Sequence, residues 1–518
     1  MENSLRYNNN YFRFYFKDGG IVAIDRAKLV RLTEDPAFNP EKEIFFEDFL
    51  GIYIIDNAFF CALSLKSEVI YEKFGIRKST NLIVLQISND KSKEKYSSLI
   101  LNGLKLCNLY TSKKQNLTLT QQQNAKFEVT RDLFTWNFEA KSNAMRFGLE
   151  NNTTNFIAGN VETFQTSDFD FLLISRRANK NNGPRYWARG SDSDGYTANF
   201  VETETIIIKS EKTYAFVQVR GSIPIEWTQY PDLRPQPEVV IGTTGNCKKY
   251  CQAHFNLLRK SYGETIVGIC LTENKGRKEG NLTKLYLHYG NQEKGVKVVH
   301  FPMNTICKGN KFDKVSTILP EIQKNLDEIG FTEIISNRVT KSQAGVVRTN
   351  CLDNLDRTNY MQQFIASQVL KSFQLEKIKN FAFAWTDNGD SISIQYCGTR
   401  SLTGEIIRTG KLSLKGKLSN AVVSTRRFFI NTWKDGRKQD EYDAVNLKTL
   451  PHPVKRAFPL IEFLIILMFA FMTLIRHGII KFRGAIRNAK GTLVQRPSFK
   501  EIKYPDPNSK DEFDILMN

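Results

Sequence analysis

Eight cysteines are scattered along the 518 residues, and Cys351 alone has an arginine, Arg357, six positions after it. After the other seven cysteines that position holds Ser67, Lys113, Ala253, Leu257, Gly276, Asp313 or Thr403. The pair lies within RTNCLDNLDRTN, residues 348–359. Sulfur and guanidinium at this spacing suit attack on a phosphate. The sulfur is a nucleophile for phosphorus, and the planar fork of the arginine holds two phosphoryl oxygens while their charge redistributes in the transition state. Lysine, a point charge without the fork, would not replace it well. The plain alternative is a structural cysteine beside an unrelated arginine.

The flanking residues predict how the pair is positioned. Gly345, Val346 and Val347 read as a strand entering the motif, and Met361, Phe364, Ile365, Val369 and Phe373 recur after it at helical spacing. The motif is then a strand-to-helix loop, and free N–H groups at a helix start can wrap a phosphate. Leu352, Asn354, Leu355, Asp356 and Thr358 complete this expected phosphate-binding loop. A thiol in such a field ionises more readily than a free one. Asp353, two residues after the sulfur, is the candidate acid for protonating the leaving oxygen. Asp356 is expected to orient Arg357, and Thr358 to donate its hydroxyl to the sulfur.

Composition narrows the partners. The chain has 73 Lys+Arg against 54 Asp+Glu, a formal charge of +19, which calls for an acidic partner. Zinc-finger spacing, an RNP-like aromatic motif and a concentrated basic helix are all missing from the sequence, so nucleic acid is set aside in favour of anionic lipid or a phosphorylated substrate. The cysteines are too few and too irregular for a disulfide framework, and a thiolate enzyme needs a reducing compartment. The globular part is therefore expected in the cytosol, with the acceptors at Asn116, Asn152 and Asn281 unglycosylated.

Along the chain, residues 1–155 read as β-rich, with polar turns at 91–95 and 121–124. Arg185 and Arg189 either supply anion contacts beside the loop or pair with Glu202 and Glu204. Residues 216–227 (FVQVRGSIPIEW) read as a strand broken by Gly221 and Pro224, leading to a loop near the site, and 262–270 as another strand. Cys247, Cys251 and His254 have metal-like spacing, but no second pair follows, so no metal is expected. His300, between Val299 and Phe301, reads as structural. Asp387 and Asp390 are expected on a turn, to orient a catalytic group or cap the next helix. The 19 residues 457–475 are apolar, and at 1.5 Å each they span about 28 Å, close to a ~30 Å hydrocarbon core. Basic residues balance on its two sides, so the positive-inside rule does not orient it, and a single crossing and a hairpin both remain open.

Several blocks carry a family resemblance. Residues 173–177 (LISRR), 183–204 (GPRYWARGSDSDGYTANFVETE), 216–227, 300–316, 381–399 (FAFAWTDNGDSISIQYCGT), 408–411 (RTGK) and 426–441 follow one another in the order found in the Sac-domain phosphoinositide phosphatases. The loop resembles that family's RTNC, apolar residue, DCLDRTN, with Asn354 where a second cysteine is usual. The likeness covers roughly residues 115–445. It implies an α/β catalytic domain of the cysteine-based phosphatase kind at 156–445 with a strand–P-loop–helix, and a β-rich N-terminal subdomain at 1–155. A linker at 446–456, a C-terminal membrane helix at 457–475 and a basic tail at 476–518 follow. By the same resemblance the protein resembles the membrane-anchored members of the endoplasmic reticulum and Golgi, without a cofactor. Its partners would be phosphoinositides of the cytosolic leaflet, phosphatidylinositol 4-phosphate first, then the 3-phosphate and 3,5-bisphosphate. A protein tyrosine phosphatase and a catalytically silent lipid tether are the rival readings.

Overall fold

The structure is a computed structural model that describes residues 2–33, 39–229, 237–276, 279–309, 311–372, 378 and 380–446. Phe373 and the whole stretch from 447 onward, including the expected membrane helix at 457–475, lie outside the described residues. Among the described residues no helix is long and apolar enough to cross a membrane.

The chain begins with a five-stranded antiparallel sheet, made of Asn3–Tyr7, Tyr11–Tyr15, Ile21–Asp25, Val30–Arg31 and Lys42–Phe46. Its inner aromatic face, with Phe12, Phe14 and Phe46, buries against Phe49, Phe59 and Phe147. A second, much larger sheet takes over from Asp48. Asn108–Ser112 pairs with Ile157–Gln165 in that sheet, so a single sheet runs through the region around residue 155.

The half that carries the motif is mixed. Strands β1 (Val201–Lys209) and β2 (Lys212–Arg220) form an antiparallel hairpin. Strands β3 (Thr265–Cys270), β4 (Val296–His300) and β5 (Gly345–Asn350) are parallel, with β5 between β2 and β3. All six residues of β5 are buried. Because side chains alternate along a strand, its neighbours Val346 and Val347 enter different clusters. Val346 packs with Phe255 of helix α1 (Thr244–Tyr262) and Tyr286 of α2 (Gly280–Gly290). Val347 packs with Ile322 of α3 (Leu319–Ile329) and with Met361 and Ile365 of α4 (Asp356–Lys371). Three longer helices follow, α5 (Phe381–Cys397), α6 (Leu414–Phe429) and α7 (Asp435–Val445), with the short helix Gly404–Thr409 between α5 and α6.

Three sequence expectations need correction. Tyr262 ends α1, and the strand starts only at Thr265 after Gly263 turns the chain. Residues Gln121–Ala125 form a short helix with buried Gln121 and Gln123, closed by a capping box between Thr120 and Gln123. Asp387 and Asp390 lie inside α5, with no turn near them. Polar residues there mislead because α5 is packed by tertiary contacts, including a close approach of Gly389 to the Asn359 side chain.

A Cβ on Gly345 would sit 2.0 Å from the Thr265 carbonyl oxygen, on the neighbouring strand. Gly345→Ala is therefore expected to force β3 and β5 apart and to cost about 1–3 kcal/mol, read as a lower urea midpoint.

Candidate functional site

Strand β5 ends at Asn350 and α4 begins at Asp356, so Cys351 to Leu355 form the expected loop between a buried parallel strand and a helix start. Asn354 makes the turn with φ +54. That left-handed region is poor for most side chains and better tolerated by asparagine, which gives the residue at this position a backbone role. Cys351 is 2% exposed and packs with Val347, Met361 and Ile365.

Two cations act on its sulfur. Burial disfavours the charge on Arg357, but Cys351, Glu279 and Asp353 outweigh it and raise its pKa. The guanidinium reaches the Leu271 carbonyl at 3.3 Å and Glu279 at 3.4 Å. Arg220, at the end of β2, is the second. It is 1% exposed, and its Nε and Nη1 find no hydrogen-bond partner among the described residues. Burial pulls its pKa down to about 10, and Cys351 is the group that opposes this. An arginine buried with open donors beside a sulfur is suited to receive an anion there. Sequence reasoning had set residues 216–227 near the site but had not singled out Arg220, because one arginine in a strand pattern carries no mark of its burial.

The expected acid, Asp353, has two arginine partners that the sequence did not assign. Arg185 grips it in a fork, Nε to Oδ1 at 3.0 Å and Nη2 to Oδ2 at 2.5 Å, and Arg189 adds Nη2 to Oδ1 at 2.7 Å. Burial works against the carboxylate, yet the two arginines hold its pKa well below the usual range. Held by both arginines, the Asp353 carboxylate anchors the loop in this structure. Arg189 also donates to the Leu352 carbonyl at 2.8 Å. Both arginines thus do come to the loop. Glu202 and Glu204 pair instead with Arg176, and Glu202 also with Arg131.

Other roles shift as well. Asp356 accepts from Ser401 Oγ at 2.6 Å, from the Leu402 N–H and from Arg427 at 3.4 Å, so it braces the helix start while Glu279 orients Arg357. The Thr358 hydroxyl is buried and has no hydrogen-bond partner among the described residues, so its expected bond to the sulfur is not made. Asp390 accepts from the Ser401 N–H at 2.9 Å and so supports Asp356 indirectly. Asp387 is exposed, 3.8 Å from Arg408, and does not join the site.

Behind the loop, Arg348 donates from Nε to His254 Nε2 at 2.8 Å and from Nη1 to Asn350 Oδ1 at 2.9 Å. Burial and this arginine push the His254 pKa well below 6.5, so the ring is neutral, accepts at Nε2 and donates from Nδ1 to the Gly195 carbonyl at 2.8 Å. His254 with Cys247 and Cys251 lines the buried face of α1, and no group of three His, Cys, Asp or Glu among the described residues is arranged to hold a metal. His300 bonds the Thr272 carbonyl at 2.9 Å.

Residues 18–308 match the SacI homology domain family, more than half of the chain. The chain belongs to this family. It is 32% identical over 431 residues to the phosphoinositide phosphatase SAC7 of Arabidopsis thaliana, covering 74% of this chain and 72% of that protein. It is 29% identical to the phosphoinositide phosphatase SAC8 of the same plant, over 69% and 66%. With the phosphatidylinositol-3-phosphatase SAC1 of Drosophila melanogaster it shares 31% identity, over 56% and 52%. Within this Sac-family chain, the asparagine that replaces the usual second cysteine occupies the left-handed turn of the loop.

Two outcomes test the loop's supports. Arg189→Ala leaves a mostly buried carboxylate short of one partner and is expected to cost about 3–5 kcal/mol in urea unfolding. Because the Asp353 pKa is depressed on folding, its contribution is complete above the unfolded value of about 3.9 and fades only as pH falls below that. The loss should therefore be equal at pH 5, 6.5 and 8. Asn354→Val should destabilise by about 1–2 kcal/mol because a β-branched residue resists positive φ, and Asn354→Gly should not.

Proposed function

We propose that the protein is a phosphoinositide phosphatase that removes a ring phosphate through a phosphocysteine intermediate. The observation that carries this reading is Cys351 at the end of a buried parallel strand, flanked by Arg357 and by the under-bonded Arg220. In the first step the Cys351 sulfur bonds phosphorus as the bond from phosphorus to the ring oxygen breaks. The electron pair leaves on that oxygen, which is protonated through water, since Asp353 is held ionised. In the second step water attacks phosphorus, the bond to sulfur breaks, and inorganic phosphate leaves with the thiolate restored. Arg357, Arg220 and the loop N–H groups carry the charge of the equatorial oxygens in both steps.

The relatives' names support a phosphoinositide substrate for this chain. The net positive charge and the apolar run at 457–475 support a lipid held in a membrane. Phosphatidylinositol 4-phosphate in the cytosolic leaflet of endoplasmic reticulum and Golgi is the first substrate to try, then the 3-phosphate and the 3,5-bisphosphate. One observation favours a second reading, a lipid-binding tether without turnover: the 2% exposure of Cys351.

Phosphate release measured across the seven phosphoinositides separates the two. Turnover of at least one lipid that vanishes in Cys351→Ser supports the phosphatase, whereas lipid binding without release by the wild type supports the tether. Arg357→Lys is expected to lower turnover roughly 10²–10³-fold, since a point charge replaces the fork. Arg220→Met should separate function from stability. Turnover falls by roughly 10²-fold, while removal of a buried cation with open donors raises stability by about 1–3 kcal/mol.

A further inference from the structure

Helix α6 has an apolar ridge that nothing in the described structure covers. Leu414, Leu418 and Val422, four residues apart, are 78%, 72% and 69% exposed. Lys417 borders this ridge on one side and Lys415 and Arg426 on the other, all exposed. Residues 411–434 contain no Asp or Glu. At the C-terminal end of the helix Phe428, Phe429 and Trp433 form an aromatic cluster, with Phe429 and Trp433 stacked at 5.1 Å. The opposite face is fastened down. Asn420 donates to the Leu402 carbonyl at 2.7 Å, and buried Arg427 donates to Thr399 Oγ1 and to the Arg400 carbonyl, both at 2.9 Å. Arg427 also meets Asp356, the residue before Arg357, at 3.4 Å.

An exposed apolar stripe edged by cations, with aromatic rings at one end, has the pattern of a helix lying in the interface of an anionic bilayer. A protein partner would need acidic groups to meet these cations and would leave the lack of any acid over two dozen residues without a reason. A leaflet of anionic lipid explains both the ridge and its border. The chain outside the described residues agrees with this. From Asn446 to the apolar run that opens at residue 457 there are eleven residues, which extend to at most about 40 Å. We infer that α6 is a bilayer-docking element whose ridge enters an anionic leaflet while Lys415, Lys417 and Arg426 meet the headgroups. Through Arg427 and Asp356 the docked helix is tied to the start of α4, so it sets how the Cys351 loop faces the membrane. This rests on the reading that the substrate is a membrane lipid.

All eight native cysteines are buried, so an introduced surface thiol can be labelled selectively. Leu418→Cys in a Cys351→Ser background, carrying an environment-sensitive fluorophore, is placed as full chain in phosphatidylcholine–phosphatidylserine vesicles and in detergent. A probe at Val129→Cys, a site 86% exposed and remote in sequence, is the control. The expected result is a blue shift and brightening at position 418 in phosphatidylserine vesicles and none at 129. No difference between the two positions overturns the inference and leaves the ridge to a protein or to a second copy of the chain. As an independent arm, a triple variant Leu414→Ser, Leu418→Ser, Val422→Ser is assayed on vesicle-embedded phosphatidylinositol 4-phosphate and on its water-soluble dihexanoyl analogue. Docking predicts a roughly tenfold loss on vesicles with the soluble substrate turned over normally. Equal loss on both would reduce the ridge to a structural role and overturn the inference. Where the wild type does not turn over the 4-phosphate, the pair of substrates is made from whichever of the seven phosphoinositides it does turn over; release from none of the seven refutes the phosphatase reading, and the fluorescence arm, which needs no activity, still decides the docking.

Discussion

Five residues carry the chain from the end of β5 to the start of α4, and their course depends on one buried ion-pair cluster. Asp353 is held by Arg185 and Arg189, which lie 168 and 164 positions earlier in the chain. Without these partners the loop would have to take a carboxylate out of water uncompensated, at a cost of several kcal/mol. With them, the backbone is pinned at Asp353 and at the Leu352 carbonyl, and Asn354 can take its left-handed turn. The helix start is fastened separately, through Asp356 to Ser401, Leu402 and Arg427. Cys351 and Arg357 are thus positioned from both ends of the loop.

The interior holds an unusual amount of positive charge, and nearly all of it is answered. Arg176 meets Glu202 and Glu204, and Arg177 is surrounded by Tyr442, Gln395, Asn199 and Cys107. Arg348 is bonded to His254, Asn350 and two carbonyls. Arg220 differs in keeping two nitrogens open beside Cys351. Arg189 leaves only its Nε without a hydrogen bond among the described residues, whereas Arg220 leaves both Nε and Nη1 open. Two open donors beside a sulfur cost stability where an anion would offset it, which is the pattern expected of a binding site.

Much of the architecture was legible beforehand because it follows from local pattern. The apolar run at 345–347 and the 3.6-residue repeat after the motif foretold β5 and α4, since a buried parallel strand and a packed helix impose those periods on the chain. Errors fell where polar residues belong to buried elements. Gln121 and Gln123 looked like a surface turn and form a capped, buried helix. Asp387 and Asp390 looked like turn residues and lie within α5. Gln123 is satisfied by its cap and Asp390 by the Ser401 N–H, neither of which hydropathy registers, while Asp387 sits exposed on the same helix.

By itself the sequence determined the six-residue spacing of Cys351 and Arg357, the strand-to-helix setting and the family, because each is written in residues close together along the chain. Tertiary structure alone decided the arginine partners of Asp353, the partner of Arg357 and the presence of Arg220 at the sulfur. Those three depend on groups brought together from about 80 to 170 positions away, where Coulomb energy follows distance in space and burial, neither of which the order of residues expresses.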